Sequence, residues 1–122
     1  MNRLPRNKNL ARIRRAFKRW EFVVTHWGWK FTVVYCDGLD DMPSGTSANT
    51  TACTVADWQY LKATIYVNLT ACADETDDEI ETTVIHEFMH MLIDPLYDNN
   101  KRNEMDYIAT VLSRTIFGMK KG

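Results

Sequence analysis

The run from Ile80 to Ile93 constrains the fold of this chain more than any other segment. Ile80, Val84, Ile85, Phe88, Met89, Met91, Leu92 and Ile93, placed at about 100° per residue, cover most of a helix circumference. A helix of that kind has to be buried on nearly every side. One narrow polar strip remains, made of Glu79, Thr83, His86, Glu87, His90 and Asp94. Polar groups in a core cost several kcal/mol unless they are partnered, so the strip is expected to face a cleft or a metal ion. Thr76 followed by Glu79 gives a capping-box start, with Asp77 and Asp78 favourable near the positive end of the helix.

Within the strip, His86-Glu87-Phe88-Met89-His90 puts two imidazoles four residues apart on one helical face, close enough to bind one Zn²⁺ per chain. The carboxylate between them, Glu87, then lies beside the metal, placed to take a proton from water whose pKa the ion lowers to about 7. H-E-x-x-H on a helix is the motif of zinc-dependent hydrolysis of peptide bonds. A catalytic zinc needs a third protein ligand, which this helix cannot supply, because two turns of helix span about 11 Å. Asp94 is better read as a neighbour of His90. Pro95 disfavours helix at the residue before it, so the chain turns through Leu96 to Lys101 and starts a second helix near Arg102, expected to end at Phe117 and Gly118.

Asp98, Glu104 and Asp106 are the carboxylates available after that turn. Tyr107, Ile108, Val111, Leu112 and Ile116 form an apolar stripe that Glu104 extends at its N-terminal end. A carboxylate on a buried stripe needs a partner, which makes Glu104 the expected third ligand. The plainer reading is a helix-start glutamate favoured by the macrodipole. Asp106 is expected to steady a histidine ring from outside the metal's own ligands.

The motif from His86 to His90, followed by a glutamate on the next helix, resembles the glutamate-zincin peptidases. Glu104-Met-Asp-Tyr-Ile-Ala-Thr-Val-Leu112 is similar to the glutamate-helix pattern of ImmA/IrrE-type domains, and the resemblance covers roughly Ala63 to Phe117. The extended metzincin pattern is absent, since Ile93 and Leu96 stand where glycine and histidine would be required. The resemblance implies an α+β, zincin-like fold. Its parts would be an N-terminal helix, a small twisted and mostly antiparallel sheet, the active-site helix and a C-terminal glutamate helix. It also implies an edge strand along which an extended peptide lies, and a histidine or tyrosine that stabilises the transition state, for which Tyr97, Tyr107 and His26 are candidates.

Leu61, Ala63, Ile65, Val67 and Leu69 alternate with polar or half-polar residues, the pattern of a strand with one buried face. It is either the substrate-pairing edge of the sheet or an internal strand. Trp29 to Asp37 alternates likewise, with Phe31, Val33 and Tyr35 on one face, and Ala52 to Trp58 is β-prone. The segment from Asp37 to Thr51 reads as a solvent loop, or else as a flap beside the cleft.

Arg3, Arg6, Lys8, Arg12, Arg14, Arg15, Lys18 and Arg19 all precede the first acidic residue, Glu21. Leu10, Ile13, Phe17 and Trp20 recur at helical spacing among them, so a basic amphipathic helix is expected to dock its apolar edge on the sheet. With 15 Lys and Arg against 16 Asp and Glu, the chain as a whole has no polyanion-binding bias. A solvated structural helix is therefore favoured over nucleic-acid binding.

A length of 122 residues suits one domain, residues 1–122, with a proper core. No membrane span or signal-type apolar run is visible, which makes a cytoplasmic protein the expectation. Cys36, Cys53 and Cys72 lack metal-type spacing with one another, so reduced thiols are expected, with Cys72 a lesser candidate ligand. The competing functional reading is a zincin-fold module of viral or mobile-element origin, weak or inactive in catalysis. Such a module would keep zinc for stability and engage a protein or nucleic-acid partner through the basic helix.

Overall fold

The computed structural model describes residues 4–94 and 102–121. Helix α1 (Arg6–Trp20) leads through the short α2 (Phe22–Thr25) to strand β1 (Lys30–Cys36). A loop with a 3₁₀ turn at Leu39–Asp41 connects to β2 (Ala52–Asp57) and β3 (Lys62–Asn68). One turn of helix, α3 (Leu69–Cys72), precedes the long helices α4 (Asp77–Ile93) and α5 (Arg102–Lys121). The architecture is α+β. No helix among the described residues is long and apolar enough to cross a membrane.

The sheet order is β1-β3-β2, with β1 parallel and β2 antiparallel to β3. The sheet is therefore mixed rather than mostly antiparallel, because period-2 alternation fixes a strand's faces and carries no information about its direction. β3 is the central strand. Its inward residues Ala63, Ile65 and Val67 are buried, and the free edge beside α4 belongs to β2. Gly28, at φ +88°, makes the turn into β1 with Leu61 packed against it, where a side chain would be strained.

α4 starts as its sequence requires. The Thr76 hydroxyl accepts from the Glu79 amide at 3.1 Å, and the Glu79 carboxylate accepts from the Thr76 amide at 2.8 Å. Its apolar residues then enter the core, where Phe88 meets Phe17 of α1 and Phe31 of β1 edge to face, at ring separations of 5.7 and 5.1 Å. These three rings tie α1, the sheet and α4 together. α1 thus packs on α4 as well as on the sheet, and its polar side takes part: Arg12 is buried, donating to Cys72 O at 2.8 Å and to Asn9 Oδ1 at 3.0 Å, and pairing with Asp77 at 3.1 Å.

α5 continues past Gly118 to Lys121, so the glycine does not end it. It packs on α4 through Met105, Ala109 and Ser113, which are buried, whereas Tyr107, Val111 and Leu112 are exposed. Of the expected apolar stripe, Tyr107, Val111 and Leu112 are thus turned outward, while Ile116 is partly buried against the core. Two small side chains at four-residue spacing, Ala109 and Ser113, let the helices approach closely, and that approach fixes the rotation of α5.

Candidate metal centre

α4 and α5 run in opposite directions across the site. Asp106 lies beside His90, and Thr110, one turn later, lies beside His86, with 3.4 Å between its hydroxyl and His86 Nδ1. The two imidazoles point their Nε2 atoms at each other, 3.1 Å apart. Asp106 Oδ1 closes the triangle at 2.9 Å from His90 Nε2 and 3.9 Å from His86 Nε2. Donors on a tetrahedral ion at zinc's bond lengths of about 2.0–2.1 Å sit roughly 3.3 Å apart. The three edges scatter around that value, so the donor set fits a small divalent cation in both chemistry and size.

Each ring is also held from behind. His90 Nδ1 is 2.9 Å from Asp94 Oδ1, and a proton shared there leaves the Nε2 lone pair directed inward. Burial pulls the His90 pKa down, but Asp94, by hydrogen bond and charge, together with Glu87 and Asp106 leaves it raised. His86 is lowered, first by burial and then by the charge of His90, with Asp106 and Asp94 opposing. A neutral His86 is the form in which Nε2 can donate its lone pair to a metal.

Glu87 is buried beneath the cleft floor. Thr54 of β2 donates to its Oε1 at 2.7 Å, tying the helix to the edge strand. Burial raises the Glu87 pKa, with the Thr54 hydrogen bond and His90 pulling the other way. A carboxyl group raised toward neutrality, next to a cleft, suits it to accept and return a proton.

Two neighbouring cavities flank this centre and share the lining residues Thr50, Ala52, His86 and Glu87. One, of about 300 Å³, adds Gly45, Thr46, Asp94 and Asp106. The other, of about 360 Å³, adds Thr82, Thr83, Thr110, Ser113 and Arg114. The distal part of the loop before β2 therefore lines the cleft.

Of the site residues expected from sequence, His86, Glu87 and His90 come together, and Asp94 stands behind His90 as read. Asp106 occupies the position expected of Glu104. Two residues on a helix are about 200° apart, so when Asp106 faces His90, Glu104 has to face elsewhere. Glu104 is exposed and is not part of the metal-competent group, which consists of His86, His90 and Asp106 among the described residues. Tyr107 is on the exposed side of α5, and His26 is exposed and packs edge to face on Trp27 in the turn before β1. Tyr97 and Asp98 lie outside the described residues. Cys72 is buried near Arg12 and Glu75, with its pKa pushed up to about 12 by burial, and is not part of the group.

Sequence reasoning overlooked Thr54 and Thr110. Neither stands in a recognisable motif; their roles follow from the pairing of β2 and from the phase of α5. No family model, curated protein or solved structure matches this chain.

Proposed function

We propose that this chain is a minimal zinc-dependent metallopeptidase, similar in plan to ImmA/IrrE-type domains but with Asp106 in the ligand position expected of a glutamate. The observation that carries the reading is the convergence of His86 Nε2, His90 Nε2 and Asp106 Oδ1 next to a buried carboxylate, Glu87, at the floor of an open cleft. Zinc bound there supplies Lewis acidity to a water molecule and to a peptide carbonyl. The protein's own groups do the rest. Glu87 accepts a proton at its carboxylate from the attacking water and delivers it to the departing amide nitrogen, while Thr54 holds that carboxylate in place. Asp94 and Thr110 keep the imidazoles turned so that Nε2 faces the cleft.

The edge of β2 not paired with β3 gives the substrate somewhere to lie. An extended peptide adding to that edge gains main-chain hydrogen bonds and passes above His86 and Glu87. The competing reading, a binding module that works through the basic helix, draws less support from the geometry. Arg6, Arg12, Lys18 and Arg19 each engage a carboxylate within the chain, at 2.8, 3.1, 3.1 and 3.0 Å.

The test is Glu87→Gln. About one zinc per chain is expected in both proteins, with peptide cleavage reduced at least a hundredfold in the variant. Equal and negligible cleavage by both proteins would favour the binding module.

A further inference from the structure

The cleft is polarised along its length. On the side of Gly45 and Thr46 it is bordered by Asp94 and Asp106. On the other side it is lined by hydroxyl groups and closes on Arg114. The spacing on α5 sets this order: Asp106, Thr110 and Arg114 are successive turns of one helical face, which places Arg114 about 12 Å from Asp106 along the helix axis. Among the described residues, no carboxylate lies within ion-pair distance of Arg114, and Glu87 is the one acidic residue lining its cavity. On α1, Arg6, Arg12 and Arg19 each pair with a carboxylate within the chain.

We infer that Arg114 is a specificity determinant that selects a substrate carboxylate, lying within about four residues of the bond to be cut. The inference rests on the reading of this cleft as the place where a peptide lies. A guanidinium at the end of a hydroxyl-lined cavity offers a planar fork to a carboxylate, and Thr83, Thr110 and Ser113 add no competing negative charge. The carboxylate is either an acidic side chain or the C-terminus of a short peptide. The shared chemistry is a single anionic carboxylate, held at a fixed distance from His86 and Glu87.

The experiment uses fluorescein-labelled octapeptides of alanine and glycine, with a single glutamate moved through each position. Each is made with a free and with an amidated C-terminus and titrated by anisotropy against the Glu87→Gln protein, which cannot consume them. Glutamate at one or two positions, or the free terminus, is expected to tighten binding about fivefold. A gain that follows the position of glutamate identifies a side chain as the source; a gain that follows only the free terminus identifies the α-carboxylate. Arg114→Ala in the same background should remove the gain, Arg114→Lys should keep part of it, and Arg114→Glu should transfer the preference to lysine-containing peptides. A preference that survives Arg114→Ala, or the absence of any preference in the parent, overturns the inference. Arg114-dependent binding without Glu87-dependent turnover would retire the peptidase reading alone, and turnover without Arg114-dependent selection would retire this inference alone.

Discussion

Helices α4 and α5 meet across one cleft and both contribute to the candidate metal centre, yet they are held by different means. α4 is enclosed: Ile80, Val84, Ile85, Phe88, Met89 and Met91 are all buried, and its two histidines point into the one strip left open. α5 is buried along Met105, Ala109 and Ser113, with Ile116 and Phe117 partly buried against the core near its C-terminal end, while Tyr107, Val111, Leu112 and Met119 face outward. For α4, the burial pattern and the ligand pattern are the same statement, because a helix that is apolar all round leaves its polar groups only one direction. For α5, the apolar residues divide between two faces, so their pattern alone does not fix the rotation of the helix. A ligand on the first kind of helix is fixed by spacing within one segment. A ligand on the second kind is fixed by a rotation that only its neighbour decides.

The largest expected effect tests that difference in burial. Phe88 sits at the meeting point of α1, β1 and α4 with no exposed surface. Phe88→Ala should lower the unfolding free energy by about 3–5 kcal/mol, read from urea denaturation. Tyr107→Ala on α5 should cost about 0.5 kcal/mol or less. Comparable losses at the two positions would mean that α5 is covered by something in solution, and the contrast between the helices would fail.

Next in size is the assignment of the ligand on α5. Asp106→Ala should weaken zinc binding about a hundredfold or more, measured by competition with a chromophoric chelator, whereas Glu104→Ala should leave the affinity close to that of the parent. The opposite outcome would place α5 half a turn from the rotation described here and restore the glutamate as ligand.

These contrasts also mark how far the sequence could be read. The capping box of α4 forms between Thr76 and Glu79 as expected, and the alternation around Ile65 becomes β3 with its inward residues buried. Both depend on residues a few positions apart. The order of the sheet depends on pairing between distant strands, so β3 was as readily an edge as a centre, and its parallel pairing with β1 left no trace in either strand. Arg12 looked like one more solvated cation of α1, because its partners, Cys72 O and Asp77, are more than fifty positions away. Tyr107, Val111 and Leu112 looked like a buried stripe because they are large and apolar, while the true contact runs through the small Ala109 and Ser113. In the site, the same division holds: His86, Glu87, His90 and Asp94 are local, and Asp106, Thr54 and Arg114 are not.

The smallest expected effect sharpens the comparison at the start of α4, where enclosure extends even to a residue before the helix. Glu75 precedes the Thr76 cap, and its buried Oε1 has no hydrogen-bond partner among the described residues. Burial raises its pKa, Glu79 adds to the rise, and Arg12 and the neighbouring Cys72 oppose it. A carboxyl group whose pKa is higher in the folded chain than in the unfolded one binds its proton more tightly when folded. Stability from this group is therefore present at low pH and lost as pH rises from the ordinary carboxylate value through the raised one. Glu75→Gln fixes the neutral form. The variant should be more stable than the parent above that window by under about 1 kcal/mol, after allowance for solvent screening of a half-buried group, with the advantage fading as pH falls toward the ordinary carboxylate value. Urea denaturation of both proteins across that range measures it. A parent that gains stability relative to the variant as pH rises would show that Glu75 is held as an anion, most directly by Arg12, and that the start of α4 is anchored by charge rather than by exclusion of water.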